Sequence, residues 1–191
     1  MEAEFNIPLE ESLQALRRGD VILYPTDTIW GLGCDATNEA TIRKIYEIKQ
    51  RDDSKSLIIL VADERDILNY VAAPDLAVFD FLEEQKRPTT VIFDGAVNLP
   101  DALVAEDGSI AIRMVRDPFC RHLVRRLRKP LVSTSANISG QPSPRFFDEI
   151  SEAVRNQVDH ITTWRQEDKT PSLPSQIIRW QGNGNFQVIR S

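Results

Sequence analysis

Val21-Ile22-Leu23-Tyr24-Pro25-Thr26-Asp27-Thr28-Ile29-Trp30-Gly31-Leu32-Gly33 changes character halfway along. Val21–Tyr24 is a short apolar run and reads as a buried strand. From Pro25 the segment carries turn-formers, hydroxyls and an aromatic, and reads as turn-rich. Gly31 and Gly33 would let the backbone approach a ligand closely. Gly-Leu-Gly alone is weak: it is neither G-x-G-x-x-G nor G-x-x-x-x-G-K-[ST], so neither a Rossmann fingerprint nor a Walker loop is present. Upstream, Pro8–Arg18 predicts a helix with Leu9, Leu13 and Leu16 on one face, stopped by Gly19.

Downstream the same alternation continues. Asn38 caps a predicted helix to Lys49, with Ile42, Ile45 and Tyr46 inward. Leu57–Val61 reads as another buried strand. Helices are predicted near 63–71 and 74–85, and strands at Thr89–Phe93 and Ile110–Val115. Asp117-Pro118 opens a helix, with Asp as cap and Pro at its first position. Phe119, Leu123, Val124 and Leu127 form the apolar stripe of that helix. Pro130–Ser133 is a strand feeding a Ser/Thr/Asn loop. A helix near 145–156, a strand near 158–163, a loop over 165–174 and a hairpin around Gly182–Asn185 complete the chain. Intermixed strands and helices predict one α/β domain over residues 1–191, built on a twisted, open mixed sheet with flanking helices. Ligands in such sheets sit beyond strand ends.

Composition narrows the function. The chain has 191 residues, a 41% hydrophobic and 27% charged composition and a formal charge of −6. That balance argues against general nucleic-acid binding but leaves room for a local basic cleft. No apolar run approaches membrane-spanning length, and the acidic N-terminus lacks signal-peptide character, so a cytoplasmic protein without membrane contact is expected. Cys34 and Cys120 are too few for a disulfide framework and read as buried thiols. His122 and His160 have no metal-ligand spacing.

Three constellations could carry chemistry. Lys49, Arg51 and Lys55 place three cations in seven residues at a helix-to-strand connection. Lys as a point charge and Arg as a fork suit a triphosphate; alternatively they complement the helix dipole, with Asp52 and Asp53 as surface partners. Ser133-Thr134-Ser135-Ala136-Asn137, continued by Ser143, can line a nucleotide pocket. It can equally be a capped turn, or hold a nucleophilic serine that would need a base brought from afar. Arg113, in the alternating strand Ile110–Met114, could meet a substrate carboxylate or snorkel to water. The face formed by Arg121, Arg125, Arg128 and Lys129 is the candidate RNA contact, or a solvated helix face.

Taken together, Tyr24–Gly33, Lys49-Gln50-Arg51, Ala111–Met114 and Lys129–Gly140 resemble, in order and spacing, the YrdC-like family of threonylcarbamoyl-AMP synthases, in its single-domain form. The resemblance covers nearly the whole chain. It implies an open α/β sheet with a concave basic cleft. It also implies synthesis of threonylcarbamoyl-adenylate from L-threonine, bicarbonate or CO2, and ATP with Mg2+, with release of pyrophosphate, for modification of adenosine 37 in tRNA by a downstream transferase. On matching positions, Lys49, Arg51, Lys55, Thr90, Ser135, Asn137, Ser143 and Arg190 would surround ATP, with Lys49 and Arg51 catalytic. Thr28, Arg113, Ser133 and Ser175 would contact threonine. No protein metal ligand is implied; Mg2+ would arrive on the ATP phosphates. Departures lie at Asp52 and Lys55-Ser56-Leu57, at Arg87–Thr90 and at Gln176–Arg179. The alternative is a divergent nucleotide- or double-stranded-RNA-binding paralogue with weak or altered catalysis.

Overall fold

A computed structural model describes residues 4–51 and 57–191. Helix α1 (Asn6–Arg18) buries Leu9, Leu13 and Leu16, and Gly19 closes it in the left-handed conformation at φ 86°. Strands β1 (Ile22–Tyr24) and β2 (Gly31–Asp35) follow. Helix α2 (Glu39–Lys49) starts where the Asn38 side chain accepts from the Thr41 backbone N–H, satisfying one of the free donors of the first turn. Next come β3 (Ile58–Val61), the short α3 (Glu64–Ile67), α4 (Ala77–Glu84), β4 (Thr89–Phe93) and β5 (Ile110–Met114). Helix α5 (Pro118–Leu127) is capped by Asp117, which accepts from the Cys120 N–H. Strand β6 (Leu131–Ser135), a short α6 (Glu152–Arg155), β7 (His160–Ile161), and the hairpin β8 (Gln176–Gly182) and β9 (Asn185–Arg190) complete the chain.

All strands join one sheet in the order β7-β1-β2-β6-β3-β5-β4-β8-β9. It is mixed: β1–β7, β3–β5 and β4–β8 are parallel, and the other neighbours antiparallel. One face carries Leu23, Leu32, Val132, Ile59, Ile112, Val91 and Ile178 against Ile42 and Ile45 of α2 and Val78 and Leu82 of α4. The other carries Ile22, Tyr24, Leu60 and Leu131 against the leucines of α1 and Phe119, Leu123 and Val124 of α5. Directly opposed residues of neighbouring strands share a face. The registers therefore put Gly31, Ser133, Ser135, Ile58, Ala111, Arg113, Ile92 and Ile177 on this second face too. Those residues line an open cavity. The helices cover one part of the face, and the remainder is concave and exposed to ligands.

Three expectations need correction. Gly31–Gly33 is not a turn but the start of β2, paired with β1 on one side and β6 on the other. Glycine has poor strand propensity, which hid it; the cause is a crossing side chain. A Cβ on Gly33 would stand 2.7 Å from Tyr24 Cε1 and 3.0 Å from the Val132 carbonyl oxygen. The helix expected near 145–156 is instead a 3-10 turn at Phe147–Glu149 followed by α6. Pro144 and the extended Phe146 and Ile150 interrupt any longer helix. The helices expected near 63–71 and 74–85 are also shorter, at Glu64–Ile67 and Ala77–Glu84.

The glycine crossing makes a stability prediction. Gly33→Ala should lower the free energy of unfolding by about 1–3 kcal/mol, because a buried ring and a sheet carbonyl must both yield. Urea titration checks this; an unchanged midpoint would mean the ring moves away freely.

Candidate active site

The open part of the sheet forms a cavity of ≈ 330 Å³. Its floor is apolar, from Ile58, Ala111, Ile92 and Ile177, and its rim carries Thr26, Thr28, Trp30, Ser133, Ser135, Ser143 and Ser175. Three guanidinium groups reach it, from Arg51, Arg113 and Arg190, and no carboxylate among the described residues lines it. In a chain of net charge −6 this is a local reversal of sign.

Arg113 is the most constrained of the three. It rises from the middle of β5 and is only 3% exposed. Nη1 donates to Thr28 Oγ1 at 3.0 Å, and Nη2 lies 3.3 Å from Asp27 Oδ1. That second contact is an ion-pair distance without hydrogen-bond geometry, so Asp27 Oδ1 and Arg113 Nε both stay unpartnered among the described residues. Burial pushes the Asp27 carboxyl above its ordinary pKa, against the pull of Arg113. A buried charge compensated this loosely favours an arriving anion. Thr26 fixes the turn: its Oγ1 donates to the Ile29 carbonyl and lies 2.8 Å from Thr28 Oγ1.

Opposite, Arg190 at the end of β9 folds back, donating from Nε and Nη2 to the Ser175 carbonyl at 3.2 and 2.8 Å. Burial, then the nearby Arg113 and Arg87 charges, pull its pKa below the ordinary arginine value. Like charges held this close also predispose the site to an anion. Ser175 Oγ is 2.9 Å from Thr90 Oγ1. Thr90 is fully buried and reaches the cavity only through Ser175.

Lys49 lies behind the cavity wall. It is 2% exposed, and Nζ donates to the carbonyls of Ser135 and Asn137 at 2.6 and 2.8 Å. Burial, then the neighbouring Arg51, lowers its pKa to about 8. Asn137 Nδ2 donates to the Ile138 and Gln141 carbonyls, and its buried Oδ1 has no partner among the described residues. Lys49 and Asn137 thus shape the Ser135–Gln141 loop from inside. Arg51, past the left-handed Gln50, does line the cavity. Lys55 lies outside the described residues.

So the cavity brings together Thr28, Arg51, Arg113, Ser133, Ser135, Ser143, Ser175 and Arg190, with Lys49, Asn137 and Thr90 one layer behind. Sequence reasoning missed the apolar floor, Trp30 and Tyr24. The first needs strand register; Tyr24 needs the glycine crossing. Neither histidine lines the cavity, so among the described residues no imidazole faces its serines for nucleophilic catalysis. A second cavity of ≈ 180 Å³ adjoins across the Pro25–Trp30 turn. Its arginines are already paired, Arg145 with Glu149 at 2.8 Å and Arg165 with Asp117 at 2.7 Å. On the outer face of α5, Arg121 and Arg125 share Asp63; beyond its end, Lys129 pairs with Asp35.

Residues 14–191 match the family model Sua5/YciO/YrdC, described as telomere recombination. The chain belongs to the Sua5/YciO/YrdC family. A putative threonylcarbamoyl-AMP synthase of Methanocaldococcus jannaschii is 37% identical over 160 residues, covering 84% of this chain and 75% of that one. A threonylcarbamoyl-AMP synthase of Stenotrophomonas maltophilia is 33% identical over 158 residues, covering 81% and 85%. Among solved structures, P. abyssi Sua5 complexed with L-threonine superposes with a TM-score of 0.82 at 21% identity, over 95% of this chain and 53% of that one. At that identity the likeness bears on the fold, which is the open mixed sheet of this family.

The buried lysine carries a pH signature. With a folded pKa near 8 and an ordinary value when unfolded, Lys49 binds fewer protons in the folded state between those limits. Its contribution to stability should therefore improve as pH rises through that window. Urea unfolding of wild type and Lys49→Met at about pH 7.5 and about pH 9.5 should show the difference moving in wild type's favour at the higher pH. Parallel pH dependence in both proteins would contradict it.

Proposed function

We propose that this chain is a threonylcarbamoyl-AMP synthase. The observation that carries the reading is the cavity of three guanidiniums, eight hydroxyl side chains and an apolar floor, with no carboxylate among its described lining residues. Relatives above 30% identity bear that name over most of both chains. The substrates are L-threonine, bicarbonate and ATP. The threonine amine and bicarbonate give a carbamate with loss of water. A carbamate oxygen then attacks the α-phosphorus of ATP, and the bond to pyrophosphate breaks. No carbon–hydrogen bond is cleaved and no enzyme acyl group is needed, so a site without an acid–base pair suffices.

In this reading Arg113 and Thr28 hold the threonine side, joined by Ser133 and Ser175. Arg51 and Arg190 neutralise phosphate charge, aided by Ser135 and Ser143. Lys49, Asn137 and Thr90 hold their neighbours in place. The apolar floor excludes water from the mixed anhydride. Among the described residues no group of three or more His, Cys, Asp or Glu could hold a metal. A cavity of arginines suits Mg2+ held by the nucleotide's own phosphates rather than by side chains. When bound there it would supply further neutralisation of phosphate charge. The product would feed threonylcarbamoyl transfer to tRNA in the cytoplasm by a separate transferase. Among the described residues no helix is long and apolar enough to cross a membrane.

Pyrophosphate release tests the reading. It should require both L-threonine and bicarbonate in the presence of ATP and Mg2+. Arg113→Ala should lower kcat/KM for threonine by about 10- to 100-fold, the worth of hydrogen bonds to a charged group. Release without either acceptor, or none at all, would sink the assignment.

A further inference from the structure

Tyr24 is a buried polar residue outside the cavity lining, at the end of β1. Its ring crosses β2 to reach β6. The registers place Gly31 beside Tyr24 and Gly33 beside Ser133. Both glycines stand on the face the ring crosses, and a Cβ on Gly31 would lie 3.3 Å from Ser133 Oγ and 3.5 Å from Tyr24 Cε1. The strand has been cleared of side chains along the path of the phenol.

At the end of that path Tyr24 Oη donates to Ser133 Oγ at 2.8 Å. A serine hydroxyl has one proton and two lone pairs. One lone pair is taken by the phenol. The Ser133 proton has no acceptor among the described residues, and Ser133 lines the cavity. Tyr24 cannot easily reverse the bond by ionising, since burial raises its pKa above the ordinary phenol value. Reversal by rotation would leave the phenol proton without an acceptor in the core, which costs free energy.

We propose that Tyr24 is a positioning residue: by donating to Ser133 it turns the Ser133 hydroxyl into a hydrogen-bond donor aimed into the cavity, for the carboxylate of the amino-acid substrate. Arg113 and Ser133 then meet that carboxylate as two donors on one sheet face. This rests on the synthase reading for the identity of the substrate. It gives Gly31 and Gly33 a role in binding without either contacting the substrate through a side chain.

The test is a double-mutant cycle in which L-threonine is titrated calorimetrically into wild type, Tyr24→Phe, Ser133→Ala and the double variant. Phenylalanine keeps the ring and removes only the donor. Each single change should weaken threonine binding about tenfold, and the double variant should be no weaker than Ser133→Ala alone. ATP affinity should be unchanged in Tyr24→Phe. Additive losses of about a hundredfold in the double variant would overturn the proposal, because Tyr24 would then act independently of Ser133. Wild-type affinity in Tyr24→Phe would overturn it, as would joint loss of threonine and ATP binding, which marks a loosened fold. Failure of wild type itself to bind threonine removes the substrate reading beneath it and appears in a separate arm.

Discussion

A guanidinium in the middle of a sheet is costly, and Arg113 is held there with less compensation than its burial demands. One carboxylate stands at 3.3 Å in poor hydrogen-bond geometry, one threonine hydroxyl accepts from it, and Nε has no partner among the described residues. A fold selected for stability alone would replace such a charge with packed hydrocarbon. Here the deficit faces a cavity. The Pro25–Trp30 turn exists in its present shape to supply Asp27 and Thr28 to this arginine, and Thr26 locks that turn. Arg190 adds a second charge to the same space, itself lowered in pKa by burial and by Arg113. The pair makes an anion the missing component of the site.

The sheet's uneven cover determines where this deficit can lie. α1 and α5 bury Ile22, Tyr24, Leu60 and Leu131, and the same face continues past them without a helical cover into the cavity floor. The wall on the β6 side is stiffened from behind. Lys49 spends its donors on the Ser135 and Asn137 carbonyls, and Asn137 spends its amide on Ile138 and Gln141. A loop held by a buried lysine is pre-organised for ligand and loses little freedom on binding. The lysine and the arginine two residues later divide the work: one builds the wall and the other faces the cavity.

Much of this was legible in the sequence, and the failures are physically instructive. α1, α2, α5, β4 and β5 followed from apolar spacing, a capping Asn or Asp and closing residues such as Gly19. Arg51, Ser133, Ser135 and Ser143 stood out at strand ends and connections and Arg113 in an alternating strand, whereas Thr28, Ser175 and Arg190 came from the family resemblance. β2 was missed because its glycines look like turn residues, and only the crossing phenol explains them. Lys49 could not be told from Arg51 by sequence; the direction of a side chain at a helix end depends on tertiary packing. On the basic face at α5, read from sequence as an RNA contact or a solvated helix face, Arg121 and Arg125 pair with Asp63 and Lys129 with Asp35, partners remote in sequence. Charge runs on one helix say nothing about partners supplied from elsewhere.

In the proposed reading the substrate's carboxylate completes the incompletely paired Arg113. Thermal unfolding of wild type and Arg113→Gln, each with and without L-threonine, tests it most directly. A ligand that binds only the folded state raises the midpoint. The wild-type midpoint should climb with threonine and that of Arg113→Gln should stay where it was. An equal climb in both proteins would contradict it, since threonine would then be held without the arginine.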